Sequence, residues 1–335
     1  MLSSNSGFQR LSQAALSRFS FLRIAAGALL LFVGEHLSAA ADANPELAQN
    51  GGASETKGAA APGRIGAILV SQFGPVKIHS YLSPADGLHV NTQMIEGPKS
   101  VVIFDGQFLL PYADEVASYV QTLGKPVDRI IFSHAHTDHW SGLQLLTERF
   151  PDARVFALDG VADQVRTIGA ARLDSLRRIY GEKVATKVPV PTEIITEGLQ
   201  RIDGITYDFK RFVDGESDLQ LAALLPDQKV LMAFDLVFSP NQHAFTGANH
   251  FDHWMIVLES LKALQGYDTI IIGHDTPVDR SAIDSTMAYV KRAKEIHAAS
   301  ADAKTYSENL KAAFPDLQEA SFVDLSASYL YAAPH

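Results

Sequence analysis

The sequence predicts an α/β protein made of two similar halves, and two patterns support that prediction. Short runs rich in Val, Ile and Tyr, separated by Gly, Pro, Ser and Asp, fill residues 67–105 and return in residues 204–235, as antiparallel strands do. Each set is followed by helical stretches and by one strongly apolar strand, "RIIF" in the first half and "TIII" in the second. Histidines follow both apolar strands, so each half places metal-type side chains at the end of a strand.

The first half contains four short strands and then alternates between helices and strands. The four strands are the runs "AILVSQF", "VKIHSYL", "LHVNTQMI" and "SVVIFD", each bounded by turn-forming residues. A helix ("YADEVASYVQTL"), the buried strand "RIIFSH", a second helix ("GLQLLTERF") and a strand at 154–158 follow. A long helix over about residues 160–181 is predicted next. It either covers a site as a lid with an apolar face or simply packs on the core.

The second half repeats this order after the proline-rich loop "KVPVPTEI". Its strands are the runs "GITYDFKRFV", "LQLAALLP" and "KVLMAFD". A helix with Asp252 as a candidate N-cap comes next, followed by a buried strand at 269–274 and a helix over about 280–297. No short-period repeat accompanies this duplication.

The first 40 residues differ in kind from the rest of the chain. Three arginines precede the apolar run at 24–33, and small residues follow at 38–40, which is the order of a cleaved secretory signal peptide. A membrane anchor is the alternative, but the run is about half the ~20 residues that a span needs. We therefore predict a signal peptide at 1–40, a periplasmic or secreted protein, and no stable membrane anchor.

The remaining chain divides into a short polar segment and one domain. Residues 41–63 are rich in Ala, Gly and polar residues without periodicity, which predicts a flexible segment. Residues 64–335 form the predicted catalytic domain. The chain has 335 residues and is 47% hydrophobic, which suffices for a full core.

Composition and charge restrict the possible metal ligands, nucleophiles and partners. The chain has no cysteine, so metal ligands are limited to His, Asp and Glu, and disulfides and a cysteine nucleophile are excluded. Its formal charge of −10 and the lack of a basic run with aromatics argue against nucleic acid as a partner. No Gly-x-Ser-x-Gly elbow, phosphate-binding loop or dinucleotide fingerprint is present. A small-molecule substrate is therefore expected.

One stretch concentrates metal-type side chains. "FSHAHTDHWSG" places His134, His136, Asp138 and His139 directly after a buried strand, at the strand's carboxyl end, where α/β folds build their sites. Imidazole nitrogens favour Zn²⁺ or a similar divalent ion, and the carboxylate suits a second, more open position. The alternative is a polar loop without metal.

The motif "HAHTDH" is similar to the His-x-His-x-Asp-His signature of the metallo-β-lactamase superfamily. The resemblance implies an αββα four-layer sandwich and two divalent metal ions, with Zn²⁺ as the first expectation and Mn²⁺ or Fe²⁺ as alternatives. It further implies that Asp105, at the end of "VVIFD", lies behind the metal ligands, unless it is an ordinary turn residue. Asp235 in "KVLMAFD" is then the bridging ligand, and His274 in "IIIGH" the last histidine ligand.

The sequence departs from that family at one ligand. The expected third histidine of the first metal position, counted back from Pro226, is occupied by Glu216. Either Glu216 binds metal, as a similar Glu does in the alkylsulfatase-like branch, or the first position is weak or empty. Ligation by Glu would make the site a harder ligand set, which suits Mn²⁺ or Fe²⁺ better. It would also make the bound ions weaker Lewis acids.

The resemblance implies a hydrolase in which a metal-bridging hydroxide attacks an ester, lactone or sulfate ester, with Asp138 orienting it and taking its proton. A β-lactam is less favoured, because the third histidine is missing. A mononuclear iron oxygenase of the same fold and a non-catalytic periplasmic binding protein with a relic site remain as alternatives.

Residues around the site are harder to assign. His243 lies in a loop that borders the site in this family, so it is predicted to bind substrate, or else it is a loop histidine. Arg172, Arg177 and Arg178 on the long helix either meet an anionic group or form its solvated face.

Overall fold

The structure is a computed structural model, and it describes residues 54–57 and 65–332. Within these residues the β-strands are β1 (Ser54–Lys57), β2 (Ala67–Phe73), β3 (Val76–Leu82), β4 (Asn91–Glu96), β5 (Val101–Phe104), β6 (Val127–Ile131), β7 (Arg154–Ala157), β8 (Glu193–Ile194), β9 (Gly198–Ile202), β10 (Ile205–Val213), β11 (Leu219–Leu225), β12 (Val230–Phe234), β13 (Thr269–Ile272) and β14 (Val278–Asp279). The α-helices are α1 (Leu110–Thr122), α2 (Thr137–Trp140), α3 (Leu143–Arg149), α4 (Asp159–Tyr180), α5 (Phe251–Ala263), α6 (Ser281–Ala299), α7 (Ala303–Ala313) and α8 (Ala320–Leu330).

The predicted signal peptide at 1–40 lies outside the described residues, as does most of the segment 41–63 that was predicted to be flexible. Within that segment, β1 pairs antiparallel with β2, so these four residues extend the first sheet. In the described part of the chain, no helix combines the length and apolarity needed to cross a membrane.

Two mixed sheets form the framework. The first has the order β1-β2-β3-β4-β5-β6-β7-β8, and the second has the order β14-β13-β12-β11-β10-β9. In the first sheet, pairing is antiparallel from β1 to β5 and parallel from β5 to β8. In the second, β9 to β12 pair antiparallel and β13 joins β12 in parallel. Both halves therefore change from antiparallel to parallel pairing, as the two predicted strand sets require.

The second sheet is buried on both faces, which explains the four layers. Along β11, Leu221 and Ala223 pack in a core with the first sheet and with helices α1, α3 and α4. The alternate residues Ala222 and Leu224 pack in a second core with α5, α6, α7 and α8. Since successive strand residues point to opposite faces, β11 is buried along its whole length. The α/β sandwich with two similar halves is confirmed.

The helices of the structure agree only in part with the sequence prediction. The long helix predicted over about 160–181 is α4, but α7 and α8 were not predicted. Helix α5 begins at Phe251 with His250 at the N-cap position and no side-chain cap. Asp252 was therefore wrongly predicted as the cap; it lies in the first turn and pairs with Lys294.

Candidate metal centre

The two sheets meet where β6 ends. His134 forms a β-bridge with Gln220, and the backbone N–H of Leu221 donates to the Ser133 carbonyl at 2.8 Å. These contacts join the motif loop of the first half to β11 of the second. Ligand-type residues that are distant in sequence therefore come together between the sheets.

The first group consists of His134, His136, Glu216 and Asp235, whose ligand atoms all lie within 4.8 Å of one another. His136 Nδ1 lies 3.1 Å from Glu216 Oε1, and His134 Nε2 lies 3.8 Å from Glu216 Oε2. Glu216 is 1% exposed, and its Oε2 accepts a hydrogen bond from Gln220 Nε2 at 3.0 Å. The carboxylate is thus held inside the group and is not turned to solvent.

The second group consists of Asp138, His139 and His274. His139 Nε2 and His274 Nε2 each lie 3.5 Å from Asp138 Oδ2. Asp235 Oδ2 is 3.2 Å from both of these nitrogens and 3.7 Å from His134 Nε2 of the first group. Asp235 therefore stands between the groups, in the position that the bridging prediction requires.

Hydrogen bonds behind the site orient the histidines. Asp105 accepts from the Ser133 backbone N–H at 2.8 Å, from Ser133 Oγ at 2.7 Å and from His139 Nδ1 at 3.0 Å. Ser133 Oγ lies 2.8 Å from His134 Nδ1, and since its own proton goes to Asp105 it accepts from that nitrogen. His274 Nδ1 donates to the Leu88 carbonyl at 2.7 Å. In all three rings Nδ1 carries the proton, which leaves the Nε2 lone pair facing the carboxylates.

These residues fit divalent cations. His134 Nε2, His139 Nε2, Glu216 Oε1 and Asp235 Oδ1 are buried without a hydrogen bond, and such atoms are costly unless something binds them. They are imidazole and carboxylate donors, which suit Zn²⁺, Mn²⁺ and Fe²⁺. The orphaned donor atoms converge from both halves on one volume.

Electrostatics within the site are strongly coupled. Burial, reinforced by the nearby Asp235 charge, raises the pKa of Glu216 to about 7, although His136 opposes the rise. For Asp235, burial raises the pKa, but His139, His274 and His134 outweigh it and hold the pKa well below its usual value. Concentrated buried negative charge of this kind is stabilised by bound cations.

The backbone around Asp235 and His274 has no spare room. A Cβ on Gly273 would lie 1.8 Å from Asp235 Oδ1 and 3.0 Å from His139 Cε1, so only glycine fits between them. Phe234, the residue before Asp235, has φ of 48°, in the left-handed region. The turn at the end of β12 thus directs Asp235 at the histidines.

Aromatic residues border both ligand groups. The Phe245 ring meets the His136 ring edge-on, with centroids 5.2 Å apart, and it also contacts Tyr329 of α8 at 5.6 Å. Phe322 of α8 lies 5.0 Å from the His274 ring. The sequence prediction missed Phe245 and both residues of α8; the available signal was the apolar periodicity around Phe322.

His243 lies in the second core. It is 1% exposed, its Nδ1 lies 3.0 Å from the Tyr289 hydroxyl, and its ring packs edge-on against Phe314. Burial lowers its pKa to about 4. These contacts explain it as a neutral packed ring, and among the described residues no contact supports its predicted role in binding substrate.

A family comparison accounts for this constellation. Residues 85–274 match the model of the family described as the metallo-beta-lactamase superfamily. The chain belongs to the metallo-β-lactamase superfamily. The match contains the motif loop, Glu216, Asp235 and His274. The chain is thus a hydrolase of the metallo-β-lactamase fold with residues that could hold divalent metal ions.

Two curated relatives of this superfamily chain are named as sulfatases. It is 24% identical over 220 residues to a linear primary-alkylsulfatase of Pseudomonas sp., which covers 55% of this chain and 41% of that relative. It is 24% identical over 249 residues to the alkyl/aryl-sulfatase BDS1 of Saccharomyces cerevisiae, covering 63% of this chain and 38% of that relative. The chain therefore spans about two fifths of the length of these relatives.

Solved structures share the fold. A beta-lactamase domain protein from Burkholderia ambifaria matches with a TM-score of 0.58 and 19% identity, covering 76% of this chain and 84% of that chain. A metallo-beta-lactamase from Pontibacter korlensis matches with a TM-score of 0.53 and 18% identity, covering 67% and 99%. At such identities the likeness shows the fold alone.

Proposed function

We propose that the protein is an exported, metal-dependent hydrolase that converts sulfate monoesters of apolar alcohols and water into the alcohol and hydrogensulfate. The observation that carries the proposal is the position of Glu216, buried within the first ligand group and 3.1 Å from His136. The resulting set contains two histidines and a carboxylate on one side of Asp235 and differs from an all-histidine first position. The sulfatase names of two relatives support sulfate esters over lactones and carboxylate esters.

Two ions are proposed, one for each ligand group. His134, His136 and Glu216 would hold the first, Asp138, His139 and His274 the second, and Asp235 would be shared. When bound, such cations lower the pKa of a water toward about 7 and polarise a substrate oxygen. The chain's own contribution is to fix the donor atoms in place through Asp105, Ser133 and the Leu88 carbonyl.

Asp138 is proposed as the proton acceptor. Its side chain is 18% exposed, whereas those of Glu216 and Asp235 are 0% and 3% exposed, so it is the ligand-type carboxylate that solvent and substrate reach most easily. It lies beside both Nε2 atoms of the second group. A carboxylate there can orient a water and take its proton.

The apolar part of the substrate is assigned to the aromatic border. Phe245 stands against His136 and is backed by Tyr329, so an alkyl chain leaving the first group would lie along these rings. Burial of such a chain provides binding energy of about 0.8 kcal/mol per CH₂. Export is proposed from the leader at 1–40.

The test combines metal content with sulfate release from decyl sulfate. We expect about two equivalents of Zn²⁺ or Mn²⁺, and turnover of decyl sulfate exceeding that of decanoate esters, a lactone and a β-lactam. Asp138→Ala should abolish turnover while the first ion is retained. Turnover of the carboxylate ester without sulfate release would refute the substrate class, and a single iron with oxygen uptake would replace the hydrolase by an oxygenase.

A further inference from the structure

Helix α4 runs alongside the metal centre. A Cβ on Gly169 of this helix would lie 3.3 Å from the Trp140 side chain, next to His139, so the helix packs on the motif loop. Arg172, Leu176 and Tyr180 follow at intervals of four residues and therefore share one helical stripe. From the contact with Trp140, the stripe runs toward the C-terminal end of α4.

The two ends of this stripe interact electrostatically with the ligand groups. Arg172 lies three residues after Gly169, on the helix face that packs on the motif loop, and its charge interacts with that of His136 in the first group. Burial raises the pKa of Tyr180, and the nearby Asp138 carboxylate of the second group adds to the rise. Tyr180 is fixed edge-on against Phe108, with centroids 5.0 Å apart. The stripe thus spans both groups, with a cation near the first and a phenol near the second.

Arg172 has no counter-charge. It is partly buried, and its Nε is buried without a hydrogen-bond partner. Two other arginines of α4 have partners: Arg166 bonds Asp163, and Arg177 donates to the Val184 carbonyl at 3.0 Å. In the described part of the chain, no carboxylate pairs with Arg172, although an unpaired buried guanidinium is unfavourable.

A guanidinium beside a site for divalent cations needs an anion to stabilise it. A sulfate monoester supplies one, because its non-bridging oxygens match the planar fork of the guanidinium. We propose that Arg172 binds the anionic head group of the substrate and makes the site selective for anionic esters over neutral ones. This inference rests on the proposed sulfatase function.

The test measures binding of decane-1-sulfonate, an anion that cannot be hydrolysed, against neutral decan-1-ol. It is carried out by calorimetry on metal-loaded protein. Arg172→Met should weaken sulfonate binding at least tenfold and leave decanol binding and metal content unchanged. Arg172→Lys, which keeps a charge without the fork, should be intermediate. Arg178→Met is the matched control, since Arg178 is exposed on the same helix, and it should behave as the unaltered protein.

The outcomes separate this inference from the proposed function. If decyl sulfate is hydrolysed and Arg172→Met neither weakens sulfonate binding nor lowers turnover, Arg172 does not bind the anion and the sulfatase function stands. If the unaltered protein binds sulfonate through Arg172 but releases no sulfate, the role of Arg172 stands and the reaction is wrong. Equal losses in Arg172→Met and Arg178→Met, or no sulfonate binding at all, would overturn the assignment of Arg172.

Discussion

Replacing Asp105 by Asn tests how the fold sets the ligand atoms. The change is nearly isosteric, but the amide has one acceptor where the carboxylate accepts three hydrogen bonds, two from Ser133 and one from His139. Whichever way the amide turns, its NH₂ faces a buried donor. With the amide oxygen kept on the Ser133 backbone N–H, the NH₂ opposes His139 Nδ1–H.

The clash is relieved when His139 moves its proton from Nδ1 to Nε2. Nε2 is the atom that lies 3.2 Å from Asp235, so the proton occupies the lone pair needed for metal. Loss of such supporting hydrogen bonds typically costs 10–100-fold in metal affinity, or about 1.4–2.7 kcal/mol. Because Ser133 also holds His134, we expect both metal positions to weaken, the second more strongly.

The assay is competition with a chromophoric chelator at pH 7.5, with ¹⁵N chemical shifts of the histidine rings reporting the tautomer. Asp128→Asn is the matched control, because Asp128 is a partly exposed carboxylate that pairs with Arg129 and Arg154. Unchanged affinity for both ions, or retention of the Nδ1–H tautomer in His139 of the Asn variant, would refute this reasoning.

Three further predictions concern single side chains. Glu216→Gln should weaken the first ion at least tenfold and leave the second in place, measured as metal stoichiometry during dialysis. Phe245→Ala should raise KM about tenfold for decyl sulfate but little for ethyl sulfate, measured by sulfate release. The pKa of His243 is lowered from 6.5 to about 4, so its neutral ring stabilises the fold above pH 6.5 and the contribution is lost as the pH falls toward 4. The unaltered protein should therefore lose roughly 2 kcal/mol more unfolding free energy between pH 7.5 and 5 than His243→Gln, measured by urea denaturation.

Local sequence patterns predicted the fold class and the motif residues, and the family resemblance supplied Asp105, Glu216, Asp235 and His274. The motif residues follow one buried strand, so their common location depends only on strand direction, and Asp235 and His274 end strands of the other half. Glu216 was placed by counting back from Pro226 to the position where the family has a histidine. The motif inference needs only short-range structure together with the rule that sites form at carboxyl ends of strands.

Contacts between distant segments could not be predicted in this way. His243 was placed near the substrate from its loop, but Tyr289 and Phe314, from much later in the chain, enclose its ring. Phe245 gains its position only when α8 packs beside it. Arg172 has the sequence context of a solvated helix face, and only the packing of α4 on the motif loop distinguishes it from the exposed Arg178.

Glu216 and Arg172 together explain how this site differs from one with a third histidine. Replacing a neutral imidazole by a carboxylate lowers the net positive charge of a loaded site and so weakens its attraction for an anionic substrate. Arg172 returns a positive charge beside the first group, at a partly exposed position. In this chain the compensating positive charge therefore lies on helix α4 and not in the ligand set. In the proposed sulfatase, protein carboxylates would neutralise the ions and a separate guanidinium would bind the anionic head group.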